Sequence, residues 1–385
     1  VATLELRNLG GLVSGRLGEP LLPVGALRCE DGRIVALASA GDADVVVDAA
    51  GAVAAPGLID SHVHVVLGDW TPRQSALGWI ESSMHGGVTM MMSASEVHLP
   101  GRPTDRAGVK ALALTAQRSW AQVRPGGVKV LGGSLIIEPD VQSEDFAELA
   151  AEGLWLAKVG FGAFASQADA APLVRAAQAA GFVVMNHTGG ASIPGSSPVS
   201  AQDALTLGCD IIGHANGGTT ALPDAELPLL FAAPGAIQLV QAGNLRSSLR
   251  ILELARERDA LDRIVLATDT PTGTGVMPLG MIKTVVELSA LAGLAAPDAL
   301  ALATGNNARA LRRDEGVLDV GRPADLMLLQ PPLGGAADDP LAAIELGDIP
   351  GIAGVVIDGE LRALRSRNTP APAVEARVLV EQVAA

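Results

Sequence analysis

The sequence predicts an α/β fold: a (β/α)8 TIM barrel beside a small β-module assembled from both ends of the chain. Three observations lead there. Short β-rich runs fill the first 55 residues, apolar runs alternate with Ala-rich helical stretches from Ala55 onward, and strand texture returns near Gly316. The opening runs are LELRNL, ALRCE, RIVALAS and DVVVDAA, set apart by Gly, Pro and Asp turns. The middle carries amphipathic stretches such as SEDFAELAAEG, DAAPLVRAAQAAG and SLRILELARERDA between apolar strands, the rhythm of βαβ units on a parallel sheet. GVLDVGRPADLMLLQPP and GVVIDGELRAL then read as strands, followed by a Pro-containing tail from Ser366. The expected divisions are 1–55 and 313–385 for the β-module and 56–312 for the barrel.

Composition removes several functions. Hydrophobic residues make up 49% and charged residues 18% of the 385, which gives a packed core rather than a disordered chain. Lys+Arg 27 against Asp+Glu 42 leaves a net charge of −15, a field that repels a phosphate backbone, so nucleic acid is not an expected partner. Cys29 and Cys209 cannot build a disulfide framework, and VATLELRNLGG has neither a basic n-region nor an apolar h-region, so a cytoplasmic chain is expected. No uncharged apolar run reaches the roughly 18–20 residues of a membrane span. The nearest, around 288–303, carries Pro297 and Asp298. Tyr is absent and aromatics are 2%, which excludes base-stacking platforms and any mechanism that needs a phenol.

The chemistry is carried by strand ends. In Ala55-Pro-Gly-Leu-Ile-Asp-Ser-His-Val-His64, His62 and His64 stand at i and i+2, on one face of a strand. Histidines end the apolar runs FVVMNHTGG at His187 and CDIIGHANGG at His214, and RIVLATDTP places Asp269 at another strand end. Lys158 in LWLAKVGFG precedes His187 by 29 residues; His187 precedes His214 by 27, and His214 precedes Asp269 by 55, about two further units. A βα unit takes about 30 residues when eight fill roughly 250. With His62 and His64 on strand one, the other four fall on strands four, five, six and eight, all at the C-terminal mouth where barrel active sites lie. Four imidazoles, a carboxylate and a lysine are enough for two divalent ions of the Zn or Fe type.

These residues, with the later GRPADL at 321–326, resemble the amidohydrolase superfamily. Loop motifs narrow the likeness to a branch that opens a cyclic enamide: TPRQ at 71–74, PGRP at 100–103, GGVKV at 126–130, HTGGASIPGSS at 187–197, VQAGN at 240–244, GTG at 273–275, GDIPGI at 347–352 and SRNTP at 366–370. The resemblance implies a distorted barrel and a small β-sandwich. It further implies two divalent metals (Zn and/or Fe), a metal-activated hydroxide that attacks the amide carbonyl, and a homo-oligomer, in that branch a tetramer. On this reading His62, His64 and Asp269 hold one ion and His187 and His214 the other, with Asp269 also moving the proton. Lys158 stands where that branch has a glutamate. An ammonium cannot bridge cations, so the two-metal reading requires a CO2-derived carbamate on Lys158.

Other residues carry weaker signals. Arg73 and Arg102 suit a substrate carboxylate through a bidentate fork, or else loop salt bridges. His98 in EVHLPGRP and Gln241 in VQAGN are further candidates to line the pocket. His85 in SSMHGGVT reads as a helix terminus, where its charge suits the dipole. Lys129 in VKVLGG competes with Lys158, but the resemblance places it on an earlier strand. The Gly-rich loop at 189–197 lacks the Gly-Lys-Ser/Thr of a phosphate loop. The expected activity is hydrolysis of a small cyclic amide, one bearing a carboxylate where Arg73 and Arg102 serve as its fork. The rivals are a mononuclear deaminase, which needs an acid that Thr188, Gly189 and Gly190 do not supply, a hydantoinase or imidase, which typically uses a tyrosine this chain lacks, and a non-catalytic scaffold, against which the full ligand set argues.

Overall fold

The computed structural model describes residues 3–39, 41–65, 76–96, 101–191, 196–271 and 275–381. Six short strands open the chain: β1 (Thr3–Arg7), β2 (Gly11–Leu12), β3 (Ala26–Glu30), β4 (Arg33–Ala36), β5 (Val45–Asp48) and β6 (Val53–Pro56). The central strands are β7 (Leu58–Val63), β8 (Val88–Ser93), β9 (Lys129–Leu131), β10 (Ser134–Ile136), β11 (Leu156–Val159), β12 (Val183–Asn186), β13 (Ile211–Ile212), β14 (Ala236–Val240) and β15 (Ile264–Ala267). The last four are β16 (Leu326–Gln330), β17 (Gly351–Ile357), β18 (Glu360–Leu364) and β19 (Arg377–Glu381).

First and last strands pair with each other. One five-stranded sheet runs β19-β5-β1-β3-β4 and another runs β18-β17-β16-β6-β2. Leu6, Leu27 and Val47 of the first share a buried cluster with Leu326, Leu328 and Val356 of the second. The tail expected from Ser366 is corrected in part, because Arg377–Glu381 pairs antiparallel with β5. All five residues of β19 are exposed, so no alternation of buried and exposed positions marks it in the sequence.

The central strands are parallel, as the intervening helices require. They form a three-stranded sheet β7-β8-β9 and a six-stranded sheet β10-β11-β12-β13-β14-β15. β7, β8, β11, β12 and β15 are buried at every position, the pattern of strands covered on both faces. The helices between them begin at recognisable caps. Asp105 accepts from the Gly108 N–H ahead of Arg106–Trp120, Ser200 from Asp203 ahead of Ala201–Leu207, and Asn244 from Ser247 ahead of Leu245–Glu257. The last of these buries Ile251, Leu252, Leu254 and Ala255 in a cluster that also holds Ile237, Leu239 and Leu266 of the strands. Among the described residues no helix is long and apolar enough to cross a membrane.

Two junctions position the site. Gly132 and Gly133 separate β9, which pairs with β8, from β10, which pairs with β11, and the Glu96 carboxylate accepts from the N–H groups of Gly133 (2.6 Å) and Ser134 (2.9 Å) at that break. The end of β15 lies along the end of β7. There the Asp269 N–H donates to the His62 carbonyl (2.9 Å) and the His64 N–H to the Thr270 carbonyl (2.8 Å). The Asn307 amide ties the same strands lower down, donating to the carbonyls of Ile59 (2.7 Å) and Leu266 (2.8 Å).

Candidate metal centre

That ladder brings three ligand types together. His62, His64 and Asp269 present ligand atoms within 4.8 Å of one another. Asp269 Oδ1 lies 3.0 Å from His64 Nε2 and 3.5 Å from His62 Nε2. A second pair stands beside them. His187 Nδ1 is 3.0 Å from His214 Nε2, and the His214 ring centroid is 5.2 Å from that of His62. His187 Nε2 donates to the Gly190 carbonyl (2.8 Å), which leaves Nδ1 with the lone pair. The 3.0 Å between the two nitrogens is close to the ~3.3 Å edge of a tetrahedral Zn–N site.

Backbone conformation aims these side chains. Asp269 has φ 61° and His214 φ 33°, so both ligands turn out of their strands through the left-handed region that non-glycine residues seldom occupy. His187 is held by its N–H to the Val159 carbonyl (2.7 Å). That approach needs Gly160, with φ +123°: a Cβ there would meet His187 Cβ at 2.3 Å. Lys158 is wholly buried on β11, and its Nζ has no hydrogen-bond partner among the described residues.

The protonation states suit cations. Burial pushes His62 and His214 well below the usual histidine value and His187 down to about 4, so these imidazoles are neutral. Burial opposes ionisation of Asp269, but the hydrogen bond from His64 Nε2 helps hold its carboxyl well below the carboxylate range. Burial also brings the Lys158 ammonium down to about 7. Neutral imidazoles and an ionised carboxylate are the forms that bind a divalent ion. An amine buried with no hydrogen-bond partner among the described residues is the element that this set leaves unexplained.

Comparison with known proteins places this arrangement. The chain is 42% identical to the enamidase of Eubacterium barkeri over 97% of its own length and 99% of that protein's. It belongs to the amidohydrolase family. The crystal structure of enamidase, described as a new member of the amidohydrolase superfamily, matches with a TM-score of 0.93 at 41% identity, covering 98% of this chain and 100% of that one. The Amidohydrolase family profile matches residues 221–362. An imidazolonepropionase of Mycolicibacterium smegmatis is 28% identical over 86% of this chain and 92% of its own. The likeness read from PGLIDSHVH and the strand-end histidines therefore holds, and a metal centre is general in this superfamily.

The remaining candidates of this amidohydrolase are placed as follows. Arg73 and His98 lie outside the described residues. Arg102 donates to the Glu138 carboxylate and to the Phe161 carbonyl (2.8 Å), and the Phe161 ring packs 5.6 Å from that of His187. Its guanidinium thus stands at the C-terminal ends of β10 and β11, one residue removed from a candidate ligand. Gln241 accepts from the Thr284 hydroxyl on the helix Gly280–Ala292. His85 follows the helix Ala76–Met84, and its carbonyl accepts from the Ser366 hydroxyl (2.6 Å). Lys129 pairs with Asp325 (2.6 Å), Asp358 (2.8 Å) and Glu315 (3.4 Å), away from the histidines. Sequence reasoning passed over Glu138, although SLIIEPD shows the same polar strand-end signal as His187. It also passed over Gln238, a lone polar residue in the apolar run AIQLV.

Proposed function

We propose that this amidohydrolase opens a small cyclic amide, carboxylated on its ring, at a centre of two divalent metals. His62, His64 and Asp269 would hold one ion and His187 and His214 the other, and Lys158, carboxylated by CO2, would supply oxygen ligands to the centre. The observation that carries the reading is the meeting of the two ligand groups, with His62, His187 and His214 all within electrostatic reach of a buried lysine amine that has no hydrogen-bond partner among the described residues. The likeness to enamidase supplies the substrate class. Lysine carboxylation is balanced simply: the neutral amine adds to CO2, a C–N bond forms and one proton leaves. Burial favours that neutral amine. The product is an anion with two oxygens, which removes both the orphaned amine and the charge conflict.

When bound, Zn or Fe supplies Lewis acidity, polarising an amide carbonyl and lowering the pKa of water. The chain's own groups do the rest. Asp269 Oδ1 takes a proton from the attacking water and returns it to the ring nitrogen as the C–N bond breaks. Arg73 and Arg102 bind the ring carboxylate through guanidinium forks, while His98 and Gln241 line the pocket. We further propose that the two parallel sheets form one distorted (β/α)8 barrel over 56–312, with β9 and β10 as halves of its third strand. Support comes from the hydrogen bonds joining β15 to β7. The sheets of 1–55 and 313–385 then form a β-sandwich, for which their shared buried cluster speaks. A cytoplasmic homo-oligomer, tetrameric by the same likeness, completes the proposal; the two free, buried cysteines suit a reducing compartment.

The test is reconstitution of metal-stripped protein with Zn, Mn or Fe, with and without 13C-bicarbonate. Activity is followed on carboxylated lactams, cyclic imides, hydantoins and adenine. Faster recovery with bicarbonate, a carbamate 13C signal absent from Lys158→Ala, and turnover of the lactam are expected. Short carboxylic acids should partly rescue Lys158→Ala. Active protein with well below one metal per chain refutes the centre, and deamination without lactam opening refutes the substrate class.

A further inference from the structure

We infer that Gln238 is a positioning residue: its side-chain amide fixes which ring nitrogen of His62 faces the metal and ties that ligand to His214 in the other half of the centre. The consequence for metal binding rests on the two-metal reading above, whereas the assignment of the nitrogen does not.

Gln238 lies on β14 and is wholly buried. Its Oε1 accepts from His62 Nδ1 (2.6 Å) and from the backbone N–H of His214 (3.2 Å). Its Nε2 donates to the hydroxyl (2.8 Å) and the carbonyl (3.3 Å) of Ser61, the residue before His62. The two ends of an amide are alike in shape, so its orientation must follow from partners with no choice of role. The His214 N–H can only donate and the Ser61 carbonyl can only accept. The oxygen therefore faces His214, and the same oxygen faces His62. Because that oxygen has no hydrogen, His62 Nδ1 must carry one.

The lone pair of His62 then resides on Nε2, the nitrogen 3.5 Å from Asp269 Oδ1. Without this contact the proton would be free to sit on either nitrogen, and one tautomer presents N–H where a ligand is needed. The Ser61 hydroxyl completes the lock by donating to the Leu266 carbonyl on β15 (3.1 Å), which leaves its lone pairs for the glutamine. One side chain thus spans three strands: β7 through Ser61 and His62, the β13 end through His214, and its own. A neutral acceptor does this without adding a negative charge to the centre, which a carboxylate in the same place would do.

The test uses ring 15N shifts of His62 in the full-length metal-free protein, then metal titration against a competing chelator. In the parent protein Nδ1 should be protonated and Nε2 should not. Gln238→Leu should give averaged shifts and weaken the His62 ion about 10–100-fold, the usual effect of losing a partner behind a ligand. The ion on His187 and His214 should be weakened less. Gln238→Glu keeps an acceptor opposite Nδ1 and should restore the parent tautomer. A parent spectrum with the proton on Nε2 overturns the inference even if Gln238→Leu does not fold. Gln238→Leu with the parent's shifts and affinities overturns it as well. Parent protein that binds no metal would refute the two-metal reading, while its ring shifts would still decide the role of Gln238.

Discussion

Glu96→Gln should make the protein more stable at neutral pH. Glu96 stands three residues beyond β8 and is 2% exposed. Its Oε1 accepts from the Gly133 and Ser134 N–H groups, while Oε2 finds no hydrogen-bond partner among the described residues. Burial pushes this carboxyl up to about 8 against the pull of those amides. An unfolded glutamate titrates near ~4.3. The folded state therefore holds the proton more tightly, and across the window from about 4.3 to about 8 stability falls as pH rises. At pH 7 about 2.7 units of that window have been crossed, at about 1.4 kcal/mol each, which is about 4 kcal/mol. Glutamine keeps the Oε1 acceptor and removes the titration. Taking the amide as equal to the protonated acid, the variant gains about 1 kcal/mol at pH 5 and about 4 kcal/mol at pH 7. Urea unfolding of both proteins at the two pH values measures this. A gap that does not change with pH, or a variant less stable at pH 7, refutes the reasoning.

Three other outcomes follow from the geometry. Arg73→Ala and Arg102→Ala should raise KM for a carboxylated lactam by about 1.5–3 kcal/mol more than for its neutral analogue; equal effects on both substrates, matched by Glu138→Gln, would confine Arg102 to holding its loop. Asp269→Asn should lower kcat far more than stability, and a variant retaining most activity with its metals intact would assign the proton to another group. Asp145 is buried, yet Arg106, Lys110 and the Gln142 N–H hold its carboxyl well below the usual range. Asp145→Ala should cost about 2 kcal/mol, less than a fully buried pair because Arg106 is half exposed. That contribution is present above about pH 4 and lost as pH falls, so thermal melts of variant and parent should converge in acid.

What the sequence made legible was what strands impose on spacing. His62 and His64 share a face because strands alternate, and Lys158, His187, His214 and Asp269 recur because each βα unit consumes a similar length. The left-handed turns at His214 and Asp269 were not legible, since neither residue type demands such a conformation. Arg102 was ambiguous because its partner, Glu138, lies 36 residues further along the chain. Gln238 was visible only as an oddity, because its meaning depends on Ser61, His62 and His214 arriving from two other strands. β19 escaped because an exposed edge strand carries no burial pattern.

β5 is flanked by β1, made before it, and by β19, made long after it. While the chain is being synthesised, the Val45–Asp48 edge stays open until the residues of β19 emerge. Every contact that closes this edge is non-local, the slowest kind to form. An open edge of successive valines is also a template for pairing with another chain. Trimming residues 377–381, or a fusion that draws them away, would leave every candidate metal ligand in place and yet release a sticky, misassembling protein. The yield of soluble chain would then depend on a strand that takes no part in the chemistry.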